Sequence, residues 1–309
     1  MSSIEPAAPD AELIRVVVTG REGQVVRALM ERGPAAMADV VELGRPTLDL
    51  AHPANVAEVL AAAEPDVIIN AAAYTGVDKA EQDSDQAWAV NAAGARAVAE
   101  AAAALGVPVI QISTDYVFDG TLDRPYREDD PTAPLGIYGQ SKRAGEEAVA
   151  AATPNHAILR TAWVYSPFGA NFVKTMLRVA ANRDELTVVA DQRGCPTSAL
   201  DMADAILRVA RNLVERPDPE LRGTFHMSGA GETTWAEFAE AVFSTSRAAG
   251  GPSARIKPIT TAEYPTPARR PANSRLDCTK LMRLHGAALP DWQGSVERCV
   301  TRLLKEAIA

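Results

Sequence analysis

No run of eighteen apolar residues occurs in the 309-residue sequence, which excludes a simple membrane-spanning helix as its organising feature. Cysteine is scarce. Cys195, Cys278 and Cys299 are odd in number and far apart, so neither a disulfide framework nor a zinc pattern can be read. A reducing cytoplasm is the expected setting. The four histidines are isolated too, and no metal site is legible. Basic charge is in deficit, with 31 Lys and Arg against 40 Asp and Glu and a net charge of −9. That argues against non-specific binding to nucleic acid or to anionic membranes. A dinucleotide or sugar nucleotide stays open, because a helix N-terminus and a few arginines suffice for phosphate. Internal repeats are absent. The stretch from Met1 to Asp10, polar and rich in Pro and Ala, is unlike a signal peptide and reads as a frayed tail. What remains, 47% hydrophobic and 23% charged, is the composition of a globular chain with a full core.

The first half alternates strands and helices. Leu13 to Val18 is a β-branched run, followed by Thr19-Gly20-Arg21-Glu22-Gly23-Gln24 and a helical stretch from Val25. Strand, glycine turn and helix form the context of a dinucleotide fingerprint. Gly20 permits the tight turn, and Gly23 lets the backbone approach a pyrophosphate. The usual third glycine is Val26, so the helix is expected slightly farther out. Val40 to Leu43 reads as a second, buried strand. Gly44-Arg45 follows at the point that faces an adenosine ribose, where arginine suits a 2′-phosphate. Arg45 thus points to NADPH, with a solvated loop arginine as the alternative. Asp49-Leu50 precedes a helix over 55–63. Asp66 to Ala73 is a continuous apolar strand ending in small residues, as in a central parallel strand. One long helix is expected over 83–105, containing Asn91. Val107 to Ile112 is a further buried strand, ending in Ser113-Thr114-Asp115-Tyr116. Hydroxyls at such a strand end sit where open α/β sheets bind ligands.

Tyr138-Gly139-Gln140-Ser141-Lys142 comes next. Tyr and Lys four apart share one face of a helix. A phenol titrates near ~10 and needs a neighbouring cation to act as an acid or base near neutrality. The pair suits delivery of a proton to an oxygen that receives hydride. Alone it is a weak signal, since the spacing arises by chance about 0.1 times in such a chain. A strand from His156 and its exit Arg160-Thr161-Ala162-Trp163 follow. Beyond them the pattern loosens. Helices are expected over 171–181 and 199–214, a strand over 186–189, and a capping box at Thr234-x-x-Glu237 opens another helix. Residues 258–271 are proline-rich and irregular, and a last helix covers 294–308. The fold expected is α/β, a doubly wound Rossmann-type parallel sheet over 12–162 with a smaller C-terminal α/β substrate domain over 163–309, some of whose elements return to the sheet.

Taken together, Gly20-x-x-Gly23, Asn70-Ala71-Ala72-Ala73, Asn91-Ala92-Ala93-Gly94, Ser113-Thr114-Asp115-Tyr116, Tyr138-x-x-x-Lys142 and Arg160-Thr161-x-Trp163 make the chain resemble the extended short-chain dehydrogenase/reductases. Within them it is similar to the enzymes that finish dTDP-L-rhamnose synthesis. The resemblance implies NADPH-dependent reduction of the C4 keto group of dTDP-4-dehydro-6-deoxy-L-mannose, with NADH as the alternative cofactor. It implies that Tyr138 is the proton donor, that Lys142 lowers its pKa and holds the nicotinamide ribose, and that Thr114 bonds the C4 oxygen with Asp115 beside it. It puts Trp163 against the sugar and Arg270 on the substrate diphosphate. The backbone of Glu22, Gly23 and Gln24 would cradle pyrophosphate, Asp49 and Leu50 flank adenine, and Ala71, Ala72 and Ala73 line the cofactor cleft. It also brings a magnesium ion and a homodimer, neither of which the sequence locates. An epimerase or dehydratase of the same fold, and a non-catalytic regulatory subunit like that of methionine adenosyltransferase, stay as alternatives.

Overall fold

The computed structural model describes residues 12–308, so the N-terminal stretch expected to fray lies outside the described residues. Five parallel strands, numbered in chain order, make up most of the central sheet. They are β1 (Ile14–Thr19), β2 (Ala38–Leu43), β3 (Val67–Asn70), β4 (Val109–Thr114) and β5 (His156–Thr161). A sixth, Gly223–His226, pairs with the outer side of β5. The order is Gly223–His226, β5, β4, β3, β1, β2. The chain winds from β1 to β2 on one side, then crosses back to β3 on the other. That reversal makes the β1/β3 edge a switch point, the place where open α/β sheets hold ligands.

Period-two alternation divides these strands between two layers. Val16, Val18, Val67 and Ile69 enter a core shared with α1 (Gln24–Arg32) and the Ala199–Glu215 helix. Val17, Ile68 and Val109 face the opposite layer, with the Val56–Ala62 and Ala95–Leu105 helices. Burial on both faces explains why these strands read as unbroken apolar runs. The β2 strand is an edge and only partly buried.

The expected 83–105 helix is interrupted. Ser84–Trp88 and Ala95–Leu105 are α-helical, but Ala89–Gly94 is a π-helical segment. Asn91 lies inside it and spends its side chain on Tyr74 and Ser141 rather than on helix packing. Such bulges place a side chain that regular periodicity would point elsewhere. The Ile137–Ala152 helix crosses this segment at close range. Gly139 meets the Tyr116 carbonyl and Gly145 the Asn91 carbonyl so closely that a Cβ at either would overlap the oxygen.

A second aromatic core gathers the Phe172–Ala180, Trp235–Ala248 and Trp292–Ile308 helices. Beside them Glu185–Val189 pairs in parallel with Arg255–Ile259. That strand corrects the irregular reading of its last two residues. Proline lacks only the N–H, so Pro258 is tolerated in a two-stranded edge pair. The Trp235 helix opens on a reciprocal cap. The Thr234 hydroxyl accepts from the Glu237 amide, and the Glu237 carboxylate from the Thr234 amide. Removing such a cap typically costs about 1 kcal/mol.

Candidate active site

A cleft of ≈ 1580 Å³ runs along the carboxyl ends of β1, β3, β4 and β5. At one end lies the glycine turn. Gly20 takes φ +102°, a left-handed conformation that glycine alone adopts without strain. Val26 packs directly against the glycine turn. It is 1% exposed, and its Cγ2 lies 3.3 Å from where a Gly20 Cβ would stand. The bare Gly20 thus accommodates the methyl that the missing third glycine would have avoided. Gly23 caps α1 with no side-chain acceptor, which leaves first-turn amides free for an anion. Gln24 Oε1 accepts from Ser166 Oγ at 2.7 Å and Asn171 Nδ2 at 3.1 Å, tying the turn to the second half of the chain.

A buried polar relay fixes the strand ends. Thr19 Oγ1 donates to Asn70 Oδ1 at 2.6 Å, Asn70 Nδ2 to Gln111 Oε1 at 2.7 Å, and the Ala72 amide back to Thr19 Oγ1 at 3.1 Å. Each partner is satisfied, so the relay is rigid, and it sets Ala71 to Ala73 along the cleft wall. Arg45 is exposed at the mouth beyond β2 and lines the cleft, as do Asp49 and the buried Leu50. Two neighbours escaped the sequence reading. Arg21 and Glu42 also line this end and pair at 3.5 Å. Glu42 was legible as an acid near the end of the second strand, the position that faces a ribose.

At the other end stand Thr114, Tyr138 and Lys142. Lys142 Nζ donates to the Ile112 carbonyl at 2.7 Å. Ser141 Oγ donates to the Tyr138 carbonyl and accepts from Asn91, locking the first turn of the helix. Burial pushes the Tyr138 phenol up to about 12, the nearby Thr114 hydroxyl pulls it down and Asp115 pushes it up. The Lys142 ammonium is turned to the Ile112 carbonyl and is not among the charges acting on the phenol. Burial pulls Lys142 itself down to about 8, against the opposing charge of Glu146. Asp115 accepts from Thr114 Oγ1 at 3.0 Å, but its Oδ2 is buried without a hydrogen-bond partner. Burial pushes the carboxyl up to about 6, against the pull of the Ser274 and Thr114 hydroxyls.

Trp163 lines the cleft at φ 51°, a strained backbone for a bulky side chain. Its indole stacks on Trp235 at 3.7 Å, directly over Gly194. Trp235, another lining residue, carried no sequence signal. Arg270 lies beside the cleft residue Tyr116. It is not among the residues lining the cleft, and its guanidinium is spent on Asp78 at 2.7 and 3.2 Å. The proline-rich loop folds back onto the Val77–Ala80 turn, where the Ala268 amide also donates to Asp78. Among the described residues no group of three or more His, Cys, Asp or Glu could hold a metal ion, so magnesium finds no support. No helix there is long and apolar enough to cross a membrane.

Comparison with known proteins agrees with this architecture. A family model described as the RmlD substrate binding domain matches residues 14–305. The chain is 53% identical to a dTDP-4-dehydrorhamnose reductase of Sinorhizobium fredii, over 95% of this chain and 99% of that one. It is 43% identical to the Escherichia coli dTDP-4-dehydrorhamnose reductase over 94% and 98%. A crystal structure of the Bacillus anthracis dTDP-4-dehydrorhamnose reductase in complex with NADP superposes with a TM-score of 0.86 at 37% identity, covering 94% and 99%. By these matches along almost its whole length, the chain belongs to the RmlD substrate binding domain family and, with it, to the dTDP-4-dehydrorhamnose reductases.

Proposed function

We propose that this chain reduces the C4 keto group of dTDP-4-dehydro-6-deoxy-L-mannose to dTDP-L-rhamnose, with NADPH as reductant and Tyr138 as proton donor. One observation carries this reading. The glycine turn and the Thr114, Tyr138 and Lys142 side chains open into a single cleft. The turn fits a dinucleotide, because the bare Gly20 and Gly23 leave a concavity under free helix amides. Bound there, NADPH supplies the hydride. Glu22, Gly23 and Gln24 would hold its pyrophosphate, Asp49 and Leu50 its adenine, Ala71 to Ala73 its length, and Lys142 its nicotinamide ribose. Tyr138 gives its proton to the C4 oxygen as negative charge grows there. Even at about 12 the phenol is a stronger acid than the alcohol being formed. The Thr114 hydroxyl would turn from Asp115 to donate to the same oxygen, and the Asp115 carboxylate accepts a sugar hydroxyl. Trp163, with Trp235 behind it, offers a flat wall to the deoxysugar. We infer a matching division of labour, cofactor on 12–162 and substrate mostly on 163–309, supported by the separate aromatic core. The test is stoichiometric loss of NADPH absorbance with the keto sugar nucleotide. Cofactor that recycles without net oxidation would favour an epimerase instead.

Two predictions belong to this reading. Arg45→Ala should raise KM for NADPH more than for NADH, by the ~1–3 kcal/mol of a partly exposed charge pair. Arg21 and Glu42 share that end of the cleft, so Glu42→Ala should shift the ratio the other way. Equal effects on both cofactors would sink the assignment. The second concerns pH. Asp115 accepts from a hydroxyl more strongly when ionised, so kcat/KM for the sugar nucleotide should fall below about pH 6. Asp115→Asn should remove that limb and lower the plateau ~10–100-fold, as for a bond to a charged group. Its carboxyl titrates higher folded than unfolded, so ionisation costs stability as pH rises from 3.8 to about 6. Asp115→Asn should therefore melt no lower than wild type at pH 8. An acidic limb that survives the substitution refutes the role.

A further inference from the structure

Glu146 lies one turn beyond Lys142, as Lys142 lies one turn beyond Tyr138, so the three stand in line on one face of the Ile137–Ala152 helix. The Glu146 carboxylate is held from two strands. Arg160 Nε donates to Oε1 at 2.9 Å and Arg160 Nη2 to Oε2 at 2.7 Å. Ser113 Oγ donates to Oε1 at 2.6 Å. Ser113 and Arg160 face each other in the β4/β5 register. One residue back along β4, the Ile112 carbonyl takes the Lys142 ammonium at 2.7 Å. Ammonium and carboxylate are thus tethered to successive residues of the same strand.

Lys142, Glu146 and Arg160 are 4%, 2% and 5% exposed. A buried ion pair is a poor source of stability, because desolvation costs about what attraction returns, and apolar side chains of like size serve as well. The pair does have an effect on Lys142. Burial favours the neutral amine there, and Glu146 is the charge that opposes it. Tyr138 stands on the same helix, and Arg160 reaches the same carboxylate from β5; the charged Asp78, Lys79, Asp85, Arg96 and Glu100 belong to helices packed against this one, and none of them acts on the lysine. The π-helical segment packed against the helix offers only the uncharged Asn91. Asp115 acts on Tyr138 rather than on the lysine.

We propose that Glu146, clamped by Arg160 and Ser113, is a positioning residue whose charge, one helical turn away, keeps Lys142 an ammonium seated on the Ile112 carbonyl and ready for the cofactor ribose. It rests on the reductase reading through the role given to Lys142. The variant Glu146→Met/Arg160→Met tests it, since it removes both charges and strands neither. It should fold and melt no lower than wild type. Its NADPH dissociation constant, read from nucleotide fluorescence without sugar nucleotide, should rise ~10-fold at pH 7, and binding should begin to fail about one pH unit lower. Turnover should fall by a similar factor. A folded variant with wild-type NADPH affinity and an unmoved pH limb overturns the proposal. If the double variant does not fold, Ser113→Ala takes its place, because it removes one donor from the same carboxylate and strands no charge. It should weaken NADPH roughly two- to fivefold, and unchanged affinity with an unchanged limb overturns the proposal there as well. Wild-type protein that binds NADPH with the expected limb but leaves the keto sugar unreduced would refute the substrate reading alone.

Discussion

Tyr138→Phe should lower turnover of the keto sugar nucleotide by roughly 10²–10⁴, the usual scale for losing a general acid. NADPH affinity and melting temperature should stay near those of wild type. The ring is what the fold uses. It stands edge-on to Tyr116 with centroids 5.5 Å apart, and phenylalanine preserves that contact. The hydroxyl matters most as the alkoxide forms, so its loss appears in kcat rather than in binding. Burial pushes the phenol up to about 12, which keeps it protonated across the working range. Any fall in activity near pH 8 therefore reports Lys142 rather than Tyr138. Near wild-type reduction by Tyr138→Phe would remove it as the acid and pass that role to Thr114, Asp115 or water.

Lys142→Met should separate activity from stability. NADPH should bind ~10–100-fold more weakly, the worth of a charged hydrogen bond, and turnover should fall with it. Stability should move the other way. The amine has an ordinary value of 10.5 and is pulled down to about 8 in the fold. Below about 8 both states are charged, and the fold bears the full cost of burying that charge, of order 3 kcal/mol. Between about 8 and 10.5 the unfolded chain binds a proton that the folded chain lacks, so wild-type stability rises with pH across that window. A buried methionine bears no such cost. Glu146 keeps Arg160 as its partner, so no charge is stranded. Calorimetry at pH 7 should find Lys142→Met at least as stable as wild type, and its stability should no longer rise between pH 8 and 10. A less stable variant with intact NADPH affinity would contradict both arguments.

The legible parts of this chain are those where one strong local rule acts alone. Val16 to Val18 and Val67 to Ile69 are buried on both faces, and nothing but a central parallel strand explains such runs. The Thr234 cap is likewise a four-residue signal with a local cause. Gly20, Thr114, Tyr138 and Lys142 were findable because strand ends at a switch point are where ligands go, and all four open into the cleft. What escaped depends on partners distant in sequence. Gly223–His226 is four residues long, and only the edge of β5 makes it a strand. The π-helical turn at Asn91 exists because of Tyr74 and Ser141. Trp235 enters the site by stacking on a residue 72 positions earlier, Trp163. The Arg270 pairing with Asp78 escaped for the same reason, since no local feature announces it.

The tight crossing at Gly139 and Gly145 bears on anyone who would redirect this cleft by laboratory evolution. Either glycine replaced even by alanine would prise the helix off Tyr116 and the Asn91 turn and carry Tyr138 and Lys142 with it. Libraries that randomise this helix would be dominated by inactive clones. The productive diversity lies across the cleft, at Trp163 and Trp235, where selectivity can be re-cut while the proton-donating side stays where it is.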